Sequence, residues 1–106
     1  APARRPGRVG AEVELIPVTD TARPRPVDPA VLAAGFDADF VRAVTPSFEP
    51  GGQLELSPAP RTGAGALVRD LDWMLRRAAA IAAAHGVRLE AAGLKARCEQ
   101  RVAPPA

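Results

Sequence analysis

Hydrophobic and polar residues alternate in two places along the chain. From Arg8 to Val18 the run RVGAEVELIPV puts Val9, Ala11, Val13 and Leu15 on one side, and Gly10, Glu12, Glu14 and Ile16 on the other. A period of two is that of a strand, whose successive side chains point to opposite faces. Pro17 has no N–H to give to a ladder, so it is expected to end this strand or to lie near an edge. The alternation returns from Phe48 to Ser57, in FEPGGQLELS. Phe48, Leu54 and Leu56 share one parity; Glu49, Gln53, Glu55 and Ser57 share the other. Gly51-Gly52 reads as a bend or bulge within this second strand.

A helical period takes over from Ala66 to His85. Leu67, Leu71, Met74, Leu75, Ala78, Ile81, Ala82 and His85 form one stripe, the spacing of an amphipathic helix. Asp70 and Asp72 lie near its start and Arg76 and Arg77 further on, as the helix dipole favours. Gly86 is the expected stop, with His85 beside the last carbonyls. Trp73 falls one position off the stripe, placed to cover a sheet edge or another part of the domain. Val87 to Ala91 reads as a third, short strand that Gly93 breaks.

The connections are marked by proline. Pro24, Pro26 and Pro29 impose an extended link after Thr19. Asp28-Pro29 is an N-cap followed by proline at the first helical position, opening one or two turns over Ala30 to Ala34. FDADFVRAVT, Phe36 to Thr45, reads either as a short helix or as entry into a strand at Val41. The whole is expected to be α+β: an antiparallel sheet of three strands backed by one long helix. Residues 1–7 are expected to be disordered and residues 8–93 to form the domain. Residues 94–106, from KARCEQRVAPPA back to Leu94, carry no usable period and are set apart as a tail.

Composition narrows the function classes. A chain of 106 residues is one domain or part of one. Acids and bases nearly balance, 12 against 14, and the arginines form no stripe with interleaved aromatics, so nucleic acid is not an expected partner. Lys95 is the only lysine and Cys98 the only cysteine, so no disulfide forms within the chain, which suits a reducing cytoplasm. Without a long apolar run no transmembrane helix is expected, and APARRPGR has no apolar segment behind it to make a secretory signal.

The polar faces of the two strands carry the chemistry. On a strand, side chains at i and i+2 point the same way, about 7 Å apart. If the strands are neighbours, Glu12, Glu14 and Glu55 converge on one surface. Hard oxygen ligands of this kind suit Mg2+ or Mn2+, and Mg2+ is the usual partner of nucleotide phosphates. Alternating glutamates are also what a merely solvated strand face shows.

FEPGGQLELSPAP resembles the EPGGQ-x-ELS segment of the glutamate–cysteine ligase family of plants and actinobacteria, the type serving ergothioneine biosynthesis. RVGAEVE is similar to the G-x-E-x-E strand that opens that family's catalytic domain. A loop, a long helix and GVRLEAAG follow in the family's order, so the resemblance spans Arg8 to Gly93. It implies a fragment of a glutamine-synthetase-like sheet with an active site on its open face. It implies ATP-dependent joining of the L-glutamate γ-carboxylate to the amine of L-cysteine through a γ-glutamyl phosphate, with Mg2+ (or Mn2+) as cofactor. By the resemblance Glu12, Glu14 and Glu55 are metal ligands. Gln53, Gly51, Gly52 and Glu49 are substrate-binding positions.

The resemblance also leaves gaps. The family's further strands and its basic residues for phosphates and carboxylates have no counterpart in the sequence, and the Arg-, Ala- and Pro-rich tail reads like a truncated or out-of-frame end. Little or no activity of the isolated chain, and self-association through uncovered surface, are therefore expected. Three alternatives stand beside this one: a ligase joining glutamate to another amine, a non-catalytic binding or dimerisation module that keeps the scaffold, and a poorly folded product with no function.

Overall fold

A computed structural model describes residues 4–5, 7–49, 51–98 and 101–102. The elements run β1 (Arg4–Arg5), β2 (Val9–Thr19), α1 (Pro29–Ala33), α2 (Ala38–Ala43), β3 (Val44–Glu49), β4 (Gln53–Pro58), α3 (Ala64–Ala84), β5 (Val87–Cys98) and β6 (Arg101–Val102). The main sheet is antiparallel, in the order β3-β4-β2-β5, and β1 pairs separately with β6. The fold is the expected α+β sheet backed by a long helix. The tract foreseen as disordered, residues 1–7, and the tail, residues 94–106, lie partly outside the described residues. Among the described residues no helix is long and apolar enough to cross a membrane.

Sequence alternation becomes burial directly. In β2, Ala11, Val13 and Leu15 are buried, while Glu12, Glu14 and Ile16 are half-buried on the other face. In β4, Leu54 and Leu56 are fully buried between Gln53, Glu55 and Ser57. Met74, Ala78 and Ala82 of α3 pack on this apolar face. The two alanines let the helix come close to the sheet. Leu32 of α1 and Phe40 of α2 complete the core, each such side chain contributing about 1.5–3 kcal/mol. Trp73 stays 39 % exposed and stacks on Phe40 at 5.9 Å, so it covers α2.

The caps follow the chain's punctuation. Asp28 accepts a hydrogen bond from the Ala30 N–H with Pro29 at the first helical position. Phe36 to Thr45 takes the helical alternative over Ala38–Ala43; Val41 lies within that helix, and the strand begins only at Val44. The Asp37 side chain caps that helix at the Phe40 N–H and also receives Arg77 at 2.6 Å, which ties α2 to α3. Gly86 ends α3 with φ +68. The His85 ring nitrogen Nδ1 lies 2.9 Å from the Ile81 carbonyl, in the last turn as expected.

Three expectations need correction. Gly51-Gly52 is not a bulge inside one strand. It turns a hairpin between β3 and β4, with φ of +103 and +92. Of the two readings of Pro17, only the strand end fails: β2 runs on to Thr19, and Pro17 lies past Leu15, where pairing with β4 stops. The Pro17 carbonyl accepts from the Val27 N–H, and since N–H and C=O of one residue point the same way in a strand, the absent donor costs the β5 ladder nothing. Gly93 does not break the last strand. β5 continues to Cys98 and pairs along all of β2, with Ala92 as an extra residue: Leu15 faces Ala91 and Glu14 faces Gly93. The sheet thus has four strands rather than three.

The far half of β5 rests on no helix, and from Glu90 to Cys98 it is exposed. This ribbon lengthens the molecule. The radius of gyration is 16.6 Å, where a compact chain of this length would have ~13 Å.

Candidate active site

The side of the sheet turned away from α3 carries the polar residues of all four strands. Register decides which meet. Glu14 of β2 stands opposite Glu55 of β4, and Glu49 of β3 stands opposite Gln53 of β4. Glu12 lies two residues before Glu14, on the same side. The four carboxylates therefore share one surface, and Gly51 and Gly52 lie at its hairpin end.

Their proximity is electrostatically visible. The Glu55 carboxyl is pushed above the usual carboxylate value, first by partial loss of water around it. Its hydrogen bond with Glu14 and the charges of Glu49, Glu12 and Glu14 act in the same direction. Two carboxylates on facing positions favour a shared proton or a cation between them.

The fourth strand supplies what the sequence had concealed. Gly93, Lys95 and Arg97 lie on the same side of β5, opposite Glu14, Glu12 and Gly10 in turn. Each carboxylate reaches diagonally. Glu14 Oε1 lies 3.5 Å from Lys95 Nζ, and Glu12 Oε1 is 2.9 Å from an Arg97 guanidinium nitrogen. The signal was present as alternation in GLKARC, with Leu94, Ala96 and Cys98 on the other parity.

The donor set suits a hard divalent cation. Carboxylate oxygens are the preferred ligands of Mg2+ and Mn2+, and Gly93 leaves a cradle beside Glu14. A Cβ at Gly93 would stand 3.2 Å from Glu14 Oε2. As the side chains stand, no three acidic, histidine or cysteine groups among the described residues are gathered into a ligand set. Glu12 and Glu14 are turned towards the bases of β5 instead.

Near Glu12 the sheet parts. β2 pairs with β4 only over Val13–Leu15, and at its start Val9 bridges to Arg61. The gap between is a cleft of about 310 Å³, lined by Gly10, Glu12, Thr45, Ser57, Pro60 and Arg97. A larger hollow, about 390 Å³, lies on the α3 side around Trp73, Arg76 and Arg77, away from the carboxylates.

One face of the sheet thus sets carboxylates opposite one another, and the other face packs on the long helix. The family model for glutamate-cysteine ligase family 2 (GCS2) matches residues 8–105. The chain belongs to that family, and so to a family of ligases. The match runs past Gly93, through the β5 bases. Among curated proteins and solved structures, nothing matches the chain.

Proposed function

We propose that the chain forms part of an ATP-dependent ligase of the plant and actinobacterial type, joining the γ-carboxylate of L-glutamate to the amine of L-cysteine. The observation that carries the reading is the register that sets Glu14 opposite Glu55, in a chain matching the family over residues 8–105. An oxygen of the γ-carboxylate attacks the terminal phosphorus of ATP and ADP leaves. The cysteine nitrogen then attacks the acyl carbon, the C–O bond to phosphate breaks, and the nitrogen gives up a proton.

A divalent cation, when bound, neutralises the phosphate oxygens during such a transfer. Glu12, Glu14 and Glu55 would hold it. Gln53 offers an amide that both donates and accepts, and Glu49 across from it would take a substrate ammonium group. Gly51 and Gly52 have no neighbour within 4 Å of where a Cβ would stand, so substrate can approach the backbone closely. Turnover by the chain alone should be slow. Its carboxylate face is uncovered, and water competes with the amine for an acyl phosphate.

Binding and turnover test this together. Mn2+ is titrated into the chain and followed by electron paramagnetic resonance. γ-Glutamylcysteine is sought by mass spectrometry after incubation with Mg·ATP, glutamate and cysteine. Support is Mn2+ binding that Glu14→Gln weakens at least about tenfold, the low end for disturbing a metal's surroundings, with product only when all substrates are present. Absence of both sinks the proposal.

A further inference from the structure

We propose that Lys95 and Arg97 are exchangeable counter-ions of the carboxylate face. They release Glu14 and Glu12 when a complex of a divalent cation with a nucleoside polyphosphate enters, and then bind its phosphate oxygens. The inference rests on the ligase reading above and adds to it the groups that receive the anion.

Four observations carry it. The two ion pairs engage one oxygen, Oε1, of each carboxylate that would serve a cation, at 3.5 and 2.9 Å. An ammonium or guanidinium group and a divalent cation on one carboxylate stand close enough to repel each other. Both bases are free to move: the Lys95 side chain is 65 % exposed and that of Arg97 72 %, and exposed pairs of this kind are weak. Their backbone is fixed by pairing with β2 at Glu12 and Gly10, so they stay at the site when they let go. Finally, Arg97 and Glu12 line the 310 Å³ cleft, which gives a displaced guanidinium somewhere to meet an anion. Guanidinium forks match phosphate geometry, and lysine binds phosphate as a point charge.

The exchange has a crossed signature. A bare cation must displace both bases and gains nothing in return. A cation carrying phosphates brings the anion that they need. Replacing both bases should therefore help the first ligand and hurt the second.

The test compares the chain with Lys95→Gln/Arg97→Gln at one ionic strength, since exposed pairs are screened by salt. Both positions are exposed, so thermal melts should coincide; Lys95→Gln alone serves if the double variant does not fold. Bare Mn2+, followed by electron paramagnetic resonance, should bind the variant about three- to tenfold tighter, the yield of two exposed pairs. A non-hydrolysable Mg·ATP analogue, followed by calorimetry, should bind it more weakly by a similar factor. If both ligands shift in one direction, or either does not shift, the exchange is overturned while the ligase reading stands. If neither protein binds Mn2+, the exchange is overturned, and the ligase reading falls with it only when γ-glutamylcysteine is also absent.

Discussion

Gly93→Ala separates a site role from a structural one. Gly93 sits in β5 opposite Glu14, at ordinary negative φ, and its added Cβ would meet Glu14 Oε2 at 3.2 Å, Cδ at 3.7 Å and Cβ at 3.9 Å. Only the first contact is tight, and it falls on the mobile end of a side chain. The carboxylate can swing by a few tenths of an ångström without moving the backbone. Replacing glycine at a compatible position stabilises by about 0.4–1 kcal/mol through the unfolded state. For a domain of this size that raises Tm by roughly 2–8 °C. The same swing takes Glu14 out of the cradle that we assign to a cation. Mn2+ binding should therefore fall by about tenfold, as when a ligand's support is disturbed. Circular dichroism melts and paramagnetic titration give the two numbers on one sample. A higher Tm with unchanged Mn2+ affinity would refute the cradle. A lower Tm would mean that the contact reaches the backbone and that the steric reasoning is wrong.

Glu55→Gln should stabilise the protein near pH 7. Its folded carboxyl value lies above the ordinary 4.5, so the folded state holds the proton more tightly than the unfolded one. The carboxylate then costs stability once pH has risen through the folded value, and costs nothing below about 4.5, where both states are protonated. Melts from pH 4 to 8 should show the variant's advantage vanish at the acid end; an advantage independent of pH would argue against this origin. Leu56→Ala removes a fully buried side chain beneath β4 and should cost about 3 kcal/mol. Urea unfolding measures it, and a loss under about 1 kcal/mol would show that the core collapses into the gap.

The most legible parts of the chain were those with one face in the core. In β2 and β4 burial gives alternation its reason, so Val13, Leu15, Leu54 and Leu56 could be read as core and Glu14 and Glu55 as their opposites. The 21 residues of α3 were readable for the same reason, with a start two residues earlier than expected. β3 was partly hidden. It is an edge strand that carries Pro46, and Thr45, Ser47, Phe48 and Glu49 are all exposed, so no periodic signal arises. The far half of β5 was faint on the same ground: GLKARC alternates, but Leu94 is 64 % exposed, and with neither face buried so short an alternation marks no core. The faint signal also hid the ion pairs of Lys95 and Arg97, which exist only because register sets β5 beside β2.

The core and the carboxylate face are therefore one design viewed from two sides. The side-chain period of a strand is two, so a slip of one residue between β2 and β4 would send Leu54 and Leu56 to solvent and Glu55 into the core. The cost of that exchange is what holds Glu14 opposite Glu55 against their mutual repulsion. Buried leucines supply the force, and the carboxylates inherit the position. On the β5 side no such force acts beyond Leu89, the last residue of that strand packed against the core. There the main chain is held by pairing with β2, and the extra residue at Ala92 resets the phase. That reset puts glycine opposite Glu14 and lysine opposite Glu12. A strand anchored through its backbone, with side chains free in water, is well suited to carry counter-ions that must let go.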